Sequence, residues 1–141
     1  KGNVVKGRVV FETKGNCIKC HKVRGAGKEV GPDLSEIGSK LSKSAMFVSI
    51  LDPSAGVSHD YETYSIITVD GNVLSGMKIS ATAESVVIRN ADGIDRTIPV
   101  EEIDEMHKTG LSLMPADLQK TMNVEELVHV VSYLTTLLKP E

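Results

Sequence analysis

The chain contains no tryptophan, and aromatic residues make up only 4% of its 141 residues. Large rings usually contribute much of a protein core, so their scarcity is compatible with a cofactor that fills part of the interior. No apolar run approaches the length of a membrane span. The net charge of −3 argues against nucleic acid as the main partner. The length indicates one domain, or one domain carrying an insert.

The chain has only two cysteines, and both lie in the segment GNCIKCHKV. Cys17 and Cys20 are three positions apart, and His21 directly follows the second cysteine. Four interpretations compete: a structural disulfide, a redox-active dithiol, a zinc site and covalent haem attachment. A disulfide across two residues is strained and closes almost no loop, so it explains little.

The other three interpretations differ in how they use His21. A redox dithiol of the thioredoxin type is expected between a strand and a helix, but here the preceding residues have a helical pattern and the histidine has no task. A zinc site needs four ligands, and the other histidines are scattered singly. Haem attachment uses all three residues, because two thiols add to the haem vinyl groups and the adjacent imidazole binds iron. The motif therefore favours one haem c, bound through Cys17 and Cys20.

Two amphipathic helices are predicted near the ends of the chain. The first covers residues 3–14, with Val4, Gly7 and Phe11 on one face, and Gly7 indicates a close contact with another helix. The second begins at Asn123 with a capping box. Both helices would also suit the core of any helical protein. The predicted buried stripe of the second helix consists of Leu127, Val130, Val131, Leu134 and Leu138.

Two segments between these helices complement the histidine of the motif. The sequence GPDL contains Pro32, whose carbonyl can accept the Nδ1–H of His21 and so fix its tautomer. The sequence LSLMPADL contains Met114, and a thioether is a soft ligand that suits haem iron opposite a histidine. A plain turn before a short helix is the alternative for GPDL, and an open or different sixth ligand is an alternative to Met114. His107 is the main rival of Met114 as a sixth ligand.

The middle of the chain has the composition of antiparallel strands. β-Branched and aromatic residues alternate there with tight turns at Asp70-Gly71 and Asp92-Gly93. The pattern predicts a four-stranded antiparallel meander that packs against the helical part. The predicted strands cover residues 61–69, 73–79, 85–89 and 94–100.

The segments CIKCH, GPDL, LSLMP and a terminal helix with VSYL together resemble a class I c-type cytochrome. The part from ILDPS to the acidic turn at residues 101–105 is similar to the insert of a haem-binding domain family abundant in planctomycete and verrucomicrobial proteins. The resemblance implies an α+β fold. In that fold a mostly α-helical class I cytochrome c domain, residues 1–55 and 110–141, carries a small antiparallel β meander inserted at residues 56–109.

The same resemblance implies a function and a set of site residues. It implies a monohaem electron-transfer domain in which His21 and Met114 are the axial ligands, with Pro32 and Leu34 beside the cofactor. A closed His/Met site favours one-electron exchange over substrate chemistry, so we expect no enzymatic activity, although the domain could relay electrons within a larger enzyme. The alternative is a haem enzyme or a sensor with a labile sixth ligand.

Charge is distributed unevenly along the chain. Ten acidic and four basic residues give residues 56–110 a net charge of −6, and the remainder carries +3. A basic rim near the motif would steer an acidic redox partner, which could be a fused domain because members of the resembled family often sit at the end of larger secreted proteins. The alternative is a solvated face that balances the haem propionates. The five basic residues around the motif are Lys14, Lys19, Lys22, Arg24 and Lys28.

The implied cofactor also predicts a location. Haem is attached to such motifs on the outer side of energy-transducing membranes, so we expect a periplasmic or otherwise exported protein. No signal peptide is recognisable at Lys1, so we expect a mature chain or a domain cut from a longer protein. A loop that holds a weak thioether ligand needs an anchor on both sides, and we expect the insert to supply the one that precedes Met114.

Overall fold

The computed structural model describes residues 1–57 and 59–140, which combine four α-helices with two antiparallel sheets. In this part of the chain, no helix is both long and apolar enough to cross a bilayer. The helices are α1 (Val4–Glu12), α2 (Ile37–Lys40), α3 (Lys43–Leu51) and α4 (Val124–Thr135). The strands are β1 (Lys22–Val23), β2 (Ala26–Gly27), β3 (Thr63–Thr68), β4 (Val73–Ala81), β5 (Ser85–Arg89), β6 (Asp95–Pro99) and β7 (Ile103–Lys108). Short 3₁₀ turns cover Cys17–Lys19, His59–Tyr61, Val100–Glu102 and Leu118–Thr121.

Helices α1 and α4 pack closely against each other, as the glycine in α1 predicted. A Cβ atom on Gly7 would overlap the backbone carbonyl of His129 and lie 2.9 Å from Cβ of Tyr133. Only glycine therefore allows this approach of the two backbones. One turn later, the rings of Phe11 and Tyr133 meet edge to face, with centroids 5.6 Å apart.

The first helix is shorter than the predicted residues 3–14, and its buried face differs. It begins after Asn3, whose side chain accepts a hydrogen bond from the Lys6 amide, and it ends at Glu12. The buried residues include Val10, whereas Val4 is 41% exposed, so the prediction for Val4 was wrong. The contact with α4 centres on the glycine and Val10, which leaves Val4 at the edge of the buried face.

The capping box predicted for α4 is confirmed. The Asn123 side chain accepts from the Glu126 amide at 2.8 Å, and the Glu126 carboxylate accepts from the Asn123 amide at 2.9 Å. Leu138 is 53% exposed, so its predicted burial was wrong; Leu137, at 3%, is buried instead. The helix ends at Thr135, and beyond that residue its periodicity no longer applies. The rest of the stripe is buried as predicted: Leu127, Val130, Val131 and Leu134.

One apolar core joins α1, α3 and α4. Ser42 caps α3, which contributes two buried side chains to this core. Burying each large apolar side chain contributes about 1.5–3 kcal/mol relative to exposure, so this cluster dominates the stability of the helical part. The residues are Val10, Phe11, Met46, Ile50, Leu127, Val130, Val131, Leu134 and Leu137.

The middle of the chain forms a five-stranded sheet rather than the predicted four-stranded meander. Its strand order is β6-β5-β4-β3-β7, and all neighbours are antiparallel. The fifth strand, Ile103–Lys108, overlaps the segment expected to be an acidic turn. Five of its six side chains are exposed and three are charged, as suits an edge strand, so the sequence lacks the apolar alternation that signals a strand.

The sheet has an apolar cluster of its own, and every strand contributes to it. The hairpin turns predicted from the Asp-Gly pairs are confirmed, with Gly71 and Gly93 at φ values of +84° and +79°. The buried cluster contains Ile66, Val86, Ile88 and Ile98, with Leu74 and Ile103 packed against it. The predicted domain limits, residues 1–55, 56–109 and 110–141, stay a prediction; the sheet itself begins at Thr63 and ends at Lys108.

Candidate haem-attachment site

The two cysteines and the histidine lie on one tight loop after α1. Asn16 adopts a left-handed conformation, with φ of +53°, and turns the chain into the 3₁₀ turn Cys17–Lys19. The amides of Cys20 and His21 both donate to the Cys17 carbonyl, at 3.1 and 2.9 Å. Both cysteines are free thiols and half-buried. The loop therefore presents two thiols and an imidazole within one turn of backbone.

The imidazole of His21 is buried and fixed in one tautomer. Its Nδ1 atom lies 2.7 Å from the carbonyl oxygen of Pro32, which is the predicted hydrogen bond. A carbonyl can only accept, so Nδ1 donates and Nε2 carries the free lone pair. Burial lowers the pKa of His21, and the bond to Pro32 opposes this effect. The neutral side chain with a free Nε2 is the form that binds a metal.

The loop after the motif holds Pro32 in place through backbone hydrogen bonds. The Cys20 carbonyl accepts from the amides of Val30 and Gly31, at 3.0 and 2.6 Å. The Leu34 amide donates to the Lys22 carbonyl at 2.8 Å. The segment GPDL is therefore hydrogen-bonded directly to the cysteine–histidine loop. These bonds keep the Pro32 carbonyl within reach of His21.

The environment of the two thiols distinguishes between the competing interpretations. Burial raises the pKa of Cys17 to about 11. Burial also raises the pKa of Cys20, although Lys19 and Lys28 oppose the effect. A catalytic dithiol needs a lowered pKa, so this site is unlike the thioredoxin type. Among the described residues, no group of three or more His, Cys, Asp or Glu side chains could hold a zinc ion.

Met114 packs against the same helical core as the attachment loop. It is half-buried, and Cys17 and Leu34 border the same apolar cluster. The Met114 amide donates to the Ser112 hydroxyl at 3.1 Å, and the Ser112 amide donates to the Ser54 hydroxyl at 3.0 Å. The structure thus places the predicted sixth ligand on an anchored loop beside the core. Its role as an iron ligand stays a prediction.

The rival sulfur and imidazole groups have different surroundings. His107 is exposed on β7, opposite Ser65 of β3. Met77 is 3% exposed within β4, and Met46 is 2% exposed in the helical core, as expected for packing residues. Met106, eight residues before Met114, is 39% exposed on the edge strand. None of these four positions is partly buried at the border of the helical core as Met114 is, but Met122 shares that position with Met114.

The sequence did not predict that the β5–β6 turn would lie over the attachment loop. A guanidinium nitrogen of Arg89 donates to the Glu29 carbonyl at 3.3 Å, and Asp92 lies 3.8 Å from the Lys19 ammonium. A cleft of about 370 Å³ separates the two segments. The two segments carry opposite charges, which is the only feature of the sequence that could have indicated this contact. Nothing in the spacing of these residues shows which charges would meet. The residues that line the cleft are Lys22, Gly27, Lys28, Glu29, Val30, Arg89, Asp92 and Gly93.

Three of the five basic residues around the motif form ion pairs within the chain. Lys14 pairs with Glu126 at 2.9 Å, and Lys22 pairs with Glu29 at 2.8 Å. Together with the pair between Lys19 and Asp92, these ion pairs reduce the net positive charge of the surface around the motif. The charge that remains outside these three pairs is concentrated at Arg24 and Lys28, both exposed.

The residues of this site fit a covalently bound haem. They supply two protonated thiols for the vinyl groups, a buried imidazole with a free Nε2, and an apolar border that includes Leu34 and Met114. Comparison with protein families points the same way. Residues 4–68 match the family model described as Cytochrome c, which supports a c-type cytochrome. A search of curated proteins found no match.

Proposed function

We propose that this chain carries one haem c, bound through Cys17 and Cys20, and transfers single electrons with His21 and Met114 as axial ligands. The observation that carries the proposal is the buried His21, whose Nδ1 bonds the Pro32 carbonyl within a loop that also presents both thiols. The family match over residues 4–68 includes this whole loop and ends before Met114.

The proposed fold is a class I cytochrome c domain formed by residues 1–55 and 110–141, with residues 56–109 inserted. This arrangement is that of the haem-binding domain family found in planctomycete and verrucomicrobial proteins. The five-stranded sheet lies within the proposed insert, and the packed helices α1 and α4 lie outside it. The separate apolar clusters of helices and sheet support two structural units.

When bound, the haem supplies a one-electron couple at its iron, and the side chains set the conditions for it. Each thiol S–H of Cys17 and Cys20 would add across one vinyl double bond, with sulfur on one carbon and hydrogen on the other, so attachment would need no oxidant. The Pro32 carbonyl holds the His21 ring in orientation and strengthens Nε2 as a donor. Leu34 and the neighbouring apolar core would limit the access of water to the bound haem.

We further propose a redox partner with an acidic surface, which could be a separate protein or a domain fused to this one. Arg24 and Lys28 support this, because they are the exposed cations near the motif outside the three intrachain ion pairs. The expected location is the periplasm or another exported compartment, where haem is attached to such motifs.

The proposal is tested by acid–acetone extraction and an absorption spectrum of the oxidised protein. We expect haem to stay with the wild-type chain and to be extracted from the Cys17→Ala, Cys20→Ala double variant. We also expect a low-spin spectrum with a weak far-red band from methionine-to-iron charge transfer. Extractable haem in the wild type would contradict covalent attachment. A high-spin spectrum without that band would support the haem enzyme or sensor instead.

A further inference from the structure

The first residue of the five-stranded sheet, Thr63, is a buried polar side chain close to the Met114 loop. It is 5% exposed, and it pairs with Met77 on the sheet face opposite the Ile66 side chain. Buried hydroxyls are retained where they make hydrogen bonds, so the partners of Thr63 indicate what the residue does. They lie outside the sheet, in the segment that leads to Met114.

Thr63 closes a ring of hydrogen bonds with residues 109–111. Its hydroxyl donates to the Leu111 carbonyl at 2.7 Å, and the Leu111 amide donates to the Thr109 hydroxyl at 3.1 Å. The two threonine hydroxyl oxygens are 2.5 Å apart. Since the Thr63 proton goes to Leu111, the Thr109 hydroxyl donates to Thr63. The Thr109 amide adds a bond to the Thr63 carbonyl at 3.1 Å.

A second anchor follows within the same loop. The Ser112 amide donates to the Ser54 hydroxyl at 3.0 Å, and the Ser112 hydroxyl accepts from the Met114 amide at 3.1 Å. The backbone before Met114 is therefore tied to the sheet through Thr63 and to the segment after α3 through Ser54. Between the two anchors only Leu111, 61% exposed, projects its side chain outward.

We propose that Thr63 is a positioning residue that holds the Met114 loop closed over the iron, an inference that rests on the proposed function. A thioether is a weak ligand, and its occupancy depends on how often the loop adopts the binding conformation. Apolar packing does little to hold Leu111 in place, because most of its side chain is exposed. The hydrogen bonds of Thr63 fix the backbone at Leu111, three residues before Met114. A substitution at Thr63 therefore changes how often Met114 binds the iron, although Thr63 is not itself a ligand.

The test is Thr63→Val, which keeps the shape of the side chain and removes its hydroxyl, in the haem-loaded protein. Loosening the loop should raise imidazole affinity for the ferric protein about tenfold and weaken the far-red band. Carbon monoxide should also bind the ferrous variant faster than the wild type. The hydroxyl-retaining Thr63→Ser variant should restore most of the wild-type behaviour.

The matched control is Thr68→Val, the same change on the same strand. Its hydroxyl accepts from the Asn72 amide at 3.1 Å in the β3–β4 hairpin, away from the Met114 loop. The proposal is overturned if Thr63→Val binds imidazole and carbon monoxide like the wild type, or if Thr68→Val changes them equally. If Thr63→Val does not fold, Ser54→Ala decides: faster carbon monoxide binding supports the anchored loop, and unchanged binding overturns it.

These outcomes are separate from failure of the proposed function. If Met114 is not the ligand, the wild type itself lacks the far-red band, and Met114→Ala leaves imidazole and carbon monoxide binding unchanged. If Met114 is the ligand but Thr63 does not position it, the wild type has the band, Met114→Ala loses it, and Thr63→Val retains it. The two proposals therefore give different patterns over the same three proteins.

Discussion

The backbone of Gly31 lies against the imidazole ring of His21, so closely that a Cβ atom there would come within 2.5 Å of the ring atom Cε1. The same ring bonds Pro32, the next residue along the chain, through Nδ1. The absence of a side chain at Gly31 is therefore part of how the proposed ligand is held. The imidazole of His21 occupies the space that a side chain at position 31 would need, so any residue other than glycine would displace the ring.

Gly31→Ala should displace the His21 ring and weaken its hydrogen bond to Pro32. We expect a loss of about 1–3 kcal/mol in the free energy of unfolding, as for overpacking elsewhere, together with a changed low-spin spectrum. Denaturant unfolding and absorption spectroscopy measure the two effects. Gly56→Ala is the control, because a Cβ atom there meets nothing within 4 Å. Equal effects of the two variants would contradict the steric explanation.

Met114→His should lower the midpoint potential and remove the far-red band, while the haem stays covalently bound. A neutral thioether stabilises ferrous iron relative to ferric iron more than an imidazole does. Met114→Ala should instead open the iron to carbon monoxide. Redox titration and ligand binding measure these changes.

The other methionines supply the controls for Met114. Met77→Ala should leave the spectrum unchanged and cost about 2–5 kcal/mol of stability, because Met77 is buried in the sheet. Met106→Ala, on an exposed side chain, should change neither the spectrum nor the stability much. If Met114→Ala keeps the wild-type spectrum and potential, His107→Ala is the next variant to make, because His107 is the imidazole nearest to Met114 in sequence.

The capping box of α4 should make the stability of the chain depend on acid pH. The pKa of Glu126 is lowered, first by its hydrogen bond to the Asn123 backbone and then by Lys14. Because the pKa is lower in the folded state, the ionised carboxylate stabilises the fold at pH values above its unfolded pKa, near 4.5. This stabilisation disappears as the pH falls through the folded-state pKa. Glu126→Gln should therefore lose stability at pH 7 and show a weaker decline on acidification.

Thermal melting between pH 7 and pH 3 measures the effect of Glu126. The control is Glu125→Gln, which removes the same charge one residue earlier in the same first turn. Asn123→Ala, which removes the other half of the box, should cost about 0.5–2 kcal/mol. Identical pH profiles for Glu126→Gln and the wild type would show that the carboxylate does not contribute through its charge.

Reversing the charges of Arg24 and Lys28 should slow electron transfer to an anionic oxidant. With ferricyanide we expect the rate of the Arg24→Glu, Lys28→Glu variant to fall about tenfold at low ionic strength. The difference should shrink as salt screens the charges. Stopped-flow oxidation of the reduced protein measures both, and a neutral oxidant should show little change.

The matched control for the basic residues is Lys6→Glu plus Lys43→Glu, which alters the net charge of the chain by the same amount. Both residues are exposed on helices, α1 and α3. If this control slows ferricyanide oxidation as much as the Arg24 and Lys28 variant, net charge alone explains the effect. The surface around the motif would then have no special part in recognising a partner.

The sequence by itself determined the cysteine–histidine loop and several local features of the helices and turns. Cys17, Cys20 and His21 lie within five consecutive residues, so their presence on one loop follows from local geometry alone. The same holds for the capping box at Asn123 and the two Asp-Gly hairpins, each of which follows from one or two local residue choices. Gly7 predicted a close helix contact, but not which helix provides it. Pro32 was predictable because the Nδ1–H of the histidine needs an acceptor and the carbonyl of this nearby proline can be one.

Only the tertiary structure decided which distant segments meet. The fifth strand, Ile103–Lys108, joins the sheet through backbone pairing with β3. Its side chains are mostly exposed and lack the alternation of apolar and polar residues that predicts a strand. The bonds of Thr63 to residues 109–111 and of Arg89 to the Glu29 carbonyl join parts of the chain dozens of residues apart. Hydroxyls and guanidinium groups accept many partners, so residue type alone cannot pair them. Their partners follow from how the sheet packs on the helical part.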